Sequence, residues 1–260
     1  MSQDTATYDA AAEFHNRASF SQKLQALLHK YPWLSSTMVL VVASICFSFF
    51  NENFLTPSNF SLILQQVAIV GAVAAGQTLI ILTAGIDLSC GAIAIFASMA
   101  MAKLVQGTPA VEGDGISIWL AFPAGLLVGM LAGAINGALV TKVKLPPFIV
   151  TLGTYNIFLA LTLTYTKGTV PAHEMPPFLL TLGNYVNLGP FRLTTGVLFM
   201  ILMYSVLAFA LRYTGWGRHV YAVGDDIDAA RLAGISVNRV LMSVYVVAGL
   251  TFALAAWIVI

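Results

Sequence analysis

Charge is what this sequence has least of. Asp, Glu, Lys and Arg make up 9% of its 260 residues, against about a quarter in an ordinary soluble domain. So few charges cannot clothe a water-facing surface of this size, so lipid is read as the main solvent. The net charge of +1 gives no basis for a nucleic-acid partner. Cysteine is scarce too. Cys46 and Cys90 lie inside apolar runs, with no Cys-x-x-Cys and no clustered histidine, so they read as small buried hydrophobes, not as metal ligands. HExxH, GxSxG and the P-loop are all missing from the sequence. No catalytic residue, metal or cofactor is expected, and any ATP must be consumed by another chain. Tyr221-Ala222-Val223-Gly224-Asp225 brushes the Gly-x-Gly-Asp signature of intramembrane aspartic proteases, but Ala222 stands where its first glycine belongs.

What is present is apolar sequence, 58% of the chain. Runs long enough to cross a bilayer fall at roughly 34–50, 62–83, 88–106, 116–140, 148–166, 193–211 and 240–260. The expected fold class is all-α, a polytopic transmembrane helical bundle of about seven spans. Residues 1–33 are a polar tail without the pattern of a cleavable signal, and residues 34–260 form the membrane domain. Phe20, Leu24, Leu27, Leu28 and Tyr31, with Lys23 and Lys30 opposite, suit an amphipathic helix on the membrane surface; a disordered tail is the alternative. With the N-terminus in the cytoplasm, the inner segments hold Arg17, Lys23, Lys30, Lys142, Lys144, Arg212, Arg218, Arg231 and Arg239. The outer ones hold only Lys103, Lys167 and Arg192. This distribution obeys the positive-inside bias. The last run is still apolar at Ile260, from which a C-terminally truncated chain is expected.

Four groups of residues do more than span. Asp87 interrupts an apolar stretch within Gly85-Ile86-Asp87-Leu88-Ser89. It either caps the next helix with help from Ser89, or fixes a bend lining a solute path. Gly125, Gly129, Gly133 and Gly137 recur every four residues, a helix-packing stripe that lets a neighbour approach closely. Ala68, Gly71, Ala72, Ala75 and Gly76 make a similar strip. Gln77, Asn136, Thr151, Thr154, Tyr155 and Asn156 place uncharged hydrogen-bonding groups beside an aromatic ring at membrane depth. That chemistry suits a neutral polyhydroxyl solute, although interhelical hydrogen bonding explains each residue singly. In the segment 212–239, Asp225, Asp226, Asp228, Ala229, Ala230, Arg231, Leu232, Ala233 and Gly234 read as a short capped helix with a glycine stop. It is either a handle for a cytoplasmic partner or a surface helix that closes a loop.

The run Leu82-Thr83-Ala84-Gly85-Ile86-Asp87-Leu88-Ser89-Cys90-Gly91 resembles the signature of permease subunits of monosaccharide-importing ABC transporters, the ribose, xylose and fructose group. Asn136-Gly137, the run Lys144–Gly153, and Gly215-Trp216-Gly217-Arg218 through Ala233-Gly234-Ile235 agree in order and spacing. Lys144–Gly153 and the Gln-Gln-Val-Ala start of the second span are most similar to the fructose-type branch. The family usually has valine at the Cys90 position, and it continues with further spans and a motif resembling Gly-Gly-Thr-Ser-Leu. The resemblance implies a larger complete bundle in a bacterial inner membrane, importing a monosaccharide such as fructose or ribose. It also implies a second permease copy, cytoplasmic ATP-binding subunits docked on Asp225–Gly234 and a periplasmic sugar-binding protein. Two alternatives stand beside it. One is an ion-coupled secondary transporter in which Asp87 binds a proton or sodium ion; the other is an ABC permease for a non-sugar solute such as branched-chain amino acids.

Overall fold

Each apolar run becomes a helix in the computed structural model, which describes residues 25, 27–31, 33–107, 115–166, 175–189 and 191–260. The surface helix expected through Phe20 and Leu24 lies outside the described residues. In chain order the helices are α1 (Trp33–Phe50), α2 (Pro57–Leu82), α3 (Cys90–Gln106), α4 (Ile118–Thr141) and α5 (Pro147–Thr166), then α6 (Thr195–Tyr213), α7 (Gly215–Asp225), α8 (Ile227–Leu232) and α9 (Val237–Val259). Six of these are long and apolar enough to cross a membrane. At 17 residues, α3 rises about 25 Å, short of a hydrocarbon core about 30 Å thick. The chain divides into two units, Met1–Asn59 and Phe60–Ile260. In the first, α1 buries none of its residues.

In the second unit α9 is the axis. It packs most extensively on α4 and also meets α3, α6, α7 and α8. The sequence permits this because α4 is inverted relative to a soluble helix. Its small residues Gly125, Gly129, Gly133 and Gly137 are buried, while Leu127, Leu131 and Ile135 face outward. Lipid is as apolar as leucine, so nothing drives the large side chains inward. Close backbone approach with its dispersion gain decides the contact face. A Cβ on Gly129 would stand 2.5 Å from the Gly249 carbonyl oxygen and 2.6 Å from the Ala253 Cβ, and one on Gly133 would collide with the Tyr245 carbonyl. Gly137 faces Met242 and Tyr245, whereas Gly125 meets only the flexible side chain of Met101. On α2, Ala68, Ala72, Ala75 and Gly76 are buried; Gly76 abuts the Phe252 ring and Gly71 the Met200 sulfur.

One strand pair departs from the all-helical expectation. Tyr185–Leu188 (β1) and Phe191–Thr194 (β2) form an antiparallel hairpin with Tyr185 opposite Thr194, turning through Gly189 at φ +66°. Leu193 and Thr194, expected in the sixth span, are therefore strand, and α6 starts at Thr195. The hairpin is pinned to α2, since Arg192 N–H donates to Ser61 Oγ at 3.0 Å. At the far end of α9, Trp257 stacks on Phe178 at 4.9 Å and takes the edges of Phe122 and Phe199. Its indole Nε1–H donates to the Leu179 carbonyl at 3.1 Å.

Candidate functional site

The turn between α2 and α3 is where polar groups gather. The α2 helix ends at Leu82, and Ala84 takes the left-handed conformation at φ 56°. Ala84 N–H then reaches the Ile81 carbonyl at 2.9 Å and Gly85 N–H the Ile80 carbonyl at 3.0 Å, which satisfies carbonyls the helix would leave open. A left-handed alanine costs roughly 1 kcal/mol relative to glycine. Ala84→Gly is therefore expected to raise unfolding stability in detergent by up to about that amount, read from the shift of the denaturation midpoint; a destabilised variant would contradict this geometry.

Asp87 lies in the turn that follows, outside the spanning helices, and is 3% exposed. Its Oδ1 accepts from both Ser89 N–H and Ser89 Oγ, each at 2.6 Å. Ser89 Oγ in turn accepts from Asn136 Nδ2 of α4 at 2.8 Å. Burial pushes the Asp87 carboxyl above the ordinary carboxylate range, and the Ser89 hydrogen bonds pull the other way. Ser89 is the residue that directly precedes α3, and its own side chain makes no cap bond. Asp87 thus acts one step earlier, ordering the turn and tying it through Ser89 to α4. Thr151 of α5 donates to the Pro147 carbonyl at 2.9 Å and lies 3.3 Å from the Ile86 carbonyl, so a fourth element closes on the same turn.

The remaining polar residues separate. Thr154 is buried and donates to the Thr151 carbonyl. Tyr155 and Asn156 are exposed on the other side of α5, and Asn156 Nδ2 is bonded back to the Leu152 carbonyl at 2.9 Å. The fifth-span group is therefore not one cluster. Helical periodicity carries 151, 154 and 158 inward and turns 155 and 156 away. Gln77 Oε1, Asn136 Oδ1 and Tyr245 OH are buried without a hydrogen-bond partner among the described residues. Such orphaned acceptors are rare in folded proteins and mark places that a polar guest can satisfy. Tyr245 was not signalled by charge or motif. Its spacing from Gly249 and Ala253, every four residues, is the trace that α9 leaves in the sequence.

Directly against the turn lies the polar segment. The α7 helix seats Gly224 so closely on α2 that a side chain there would collide with the Leu82 carbonyl. Trp216 Nε1–H donates to Ser243 Oγ of α9 at 2.8 Å, and Val220 and Val223 are fully buried. The next helix, α8, is capped by Asp226, whose Oδ1 accepts from Asp228 N–H and Ala229 N–H at 2.8 and 2.9 Å. Gly234 closes it at φ +82°, and Ile235 N–H reaches the Ala230 carbonyl at 3.0 Å. Ala230 is buried, so it anchors α8, while Leu232 is 91% exposed. Asp225 ends α7, Ala229 and Ala233 are exposed, and Arg231 pairs with Asp228 at 2.7 Å in the open, where an ion pair adds little.

Residues 59–260 match a family described as the permease component of the branched-chain amino acid transport system. The chain belongs to that permease family. Its relatives include a fructose import permease of Rhizobium meliloti, 44% identical over 98% of this chain and 69% of the relative. A ribose import permease of Bacillus subtilis is 37% identical over 86% of this chain and 66% of its own length. The Escherichia coli ribose import permease is 32% identical, again over 86% of this chain and 68% of the relative. The chain thus spans about two thirds of the length of these permeases. No solved structure matches it. As a permease with several apolar helices it is a multi-pass membrane protein. Its family membership places its role in transport.

Proposed function

We propose that this permease is the membrane subunit of an ATP-driven importer of a monosaccharide such as fructose or ribose, set in a bacterial inner membrane with its N-terminus in the cytoplasm. The observation that carries the reading is α8. It is a self-capped helix rooted by Ala230 and backed by α7, and it holds Leu232, 91% exposed, outward from a polar segment that lies outside the spanning helices. An exposed apolar tip on a rigid mount suits a groove in a partner. Here the partner is an ATP-binding subunit, which hydrolyses ATP because this chain carries no P-loop. Movement of α8 passes through α7 to the Thr83–Ser89 turn, and from there to α3, α4 and α9. A periplasmic binding protein delivers the sugar, and a second permease copy completes the pathway. Gln77, Asn136, Thr151 and Thr154 offer uncharged donors and acceptors along it; Asp87 serves it indirectly, by holding the turn.

The names of the relatives favour a sugar over an amino acid. Asp87 spends its Oδ1 on Ser89 N–H and Oγ, which favours a role in ordering the turn over ion coupling. Leu232→Asp is expected to reduce sugar-stimulated ATPase in reconstituted vesicles at least tenfold, because an interface hot spot is worth 2 kcal/mol or more. The α8 fold should survive, since Leu232 is 91% exposed. Wild-type coupling in Leu232→Asp would overturn the docking assignment.

A further inference from the structure

A groove of about 520 Å³ opens between α2, α6 and α7. Leu79, Leu207, Ala208 and Leu211 form its apolar body, and Arg212 and Arg218 stand at one end beside Tyr221. Both guanidiniums are exposed. The one ion pair among the described residues is Arg231 with Asp228, so neither groove arginine has a carboxylate; Arg212 only leans over the Tyr213 ring at 5.6 Å. These arginines lie where α6 ends and α7 begins, the level at which a spanning helix leaves the hydrocarbon. An apolar trough that ends in two unpaired guanidiniums and a tyrosine at the interface has the chemistry of an acyl chain joined to a phosphate. A soluble sugar would leave the leucines unused, and a zwitterionic lipid would leave uncompensated positive charge.

We propose that this groove is a binding site for an anionic phospholipid of the leaflet on the α7 side. The phosphate is held by Arg212 and Arg218, through the bidentate geometry guanidinium favours, and one acyl chain lies along α2 and α6. Bound there, the lipid would bridge the end of α2 to α7, the helix that backs α8, and so tie the coupling segment to the membrane.

The test is native mass spectrometry of the permease purified in detergent, titrated with phosphatidylglycerol, with phosphatidylcholine and with inorganic phosphate. The expected result is one phosphatidylglycerol retained in preference to phosphatidylcholine, with no phosphate adduct. The double variant R212Q/R218Q should weaken retention about tenfold or more, because each basic group near a lipid surface contributes appreciably to binding. Ala208→Trp, which fills the apolar body and leaves the arginines in place, should weaken it as well. K142Q/K144Q, on a different loop, should retain the lipid. Equal retention of both lipids overturns the site, as does indifference to R212Q/R218Q. Loss on arginine substitution without loss in Ala208→Trp also overturns it, reducing the effect to surface attraction. Lipid-free dimers that are lost in Ala208→Trp would place a second copy in the groove, which contradicts it equally.

Discussion

Gly133→Leu is expected to destabilise the bundle by about 3 kcal/mol or more, at the upper end of overpacking effects. The added side chain would meet the Tyr245 carbonyl and the Gly249 Cα, and backbone cannot swing aside as a long side chain can. The helices α4 and α9 must therefore part, which also dismantles the contacts of Gly129 and Gly249 with each other. Two comparisons make the result specific. Gly125→Ala faces only Met101, an adaptable side chain, and should cost less than Gly133→Ala. Gly153→Ala meets nothing within 4 Å and sits inside α5, where alanine gains roughly 1 kcal/mol of helix propensity over glycine. It should leave stability unchanged or raise it. Unfolding titrations in mixed micelles would order these variants; a Gly133→Leu protein as stable as Gly153→Ala would refute the close α4–α9 packing.

The second large effect is expected at Asp87. Removing its carboxylate in Asp87→Ala leaves the buried Ser89 N–H and Oγ without their acceptor. Each unsatisfied buried group costs about 1–3 kcal/mol, so a loss of about 2–4 kcal/mol is anticipated after partial rearrangement. Asp87→Asn keeps an oxygen where Oδ1 accepts both bonds and should retain most of the stability and most of the transport. The contrast separates two accounts. A carboxylate that carries a proton or a sodium ion loses its function in Asp87→Asn even when the fold is intact. A carboxylate that orders the turn does not. Stability and uptake measured on both variants decide between them.

The parts of this molecule legible in sequence are those governed by the lipid solvent and by local backbone chemistry. The apolar runs announce the helices because a run of about twenty apolar residues in hydrocarbon satisfies its own backbone only as a helix. Asp226 and Gly234 announce the ends of α8 because capping and left-handed stops depend on residues only a few positions apart. The Gly129–Gly137 stripe shows that some helix must approach α4, yet which one is a tertiary matter; Gly249 and Ala253 on α9 answer it only once the two helices are side by side. The α5 polar group shows what periodicity does to neighbours in sequence. Thr151, Thr154, Tyr155 and Asn156 are neighbours in sequence, and the helix turns two of them inward and two outward. The short hairpin is hard to read in sequence because each strand has four residues, and Leu193 and Thr194 run straight into the apolar stretch of α6. The Asp87–Ser89–Asn136 chain joins residues 47 positions apart, a pairing that no local pattern records.

Sugar import by this permease is tested by uptake of radiolabelled fructose and ribose into proteoliposomes. These would contain this permease, its ATP-binding subunit and its binding protein, with ATP supplied or withheld. The expected result is saturable uptake of one of these sugars that requires ATP and the binding protein and is lost in Leu232→Asp. Uptake that proceeds without ATP on a proton or sodium gradient, or that carries leucine in place of sugar, would contradict it.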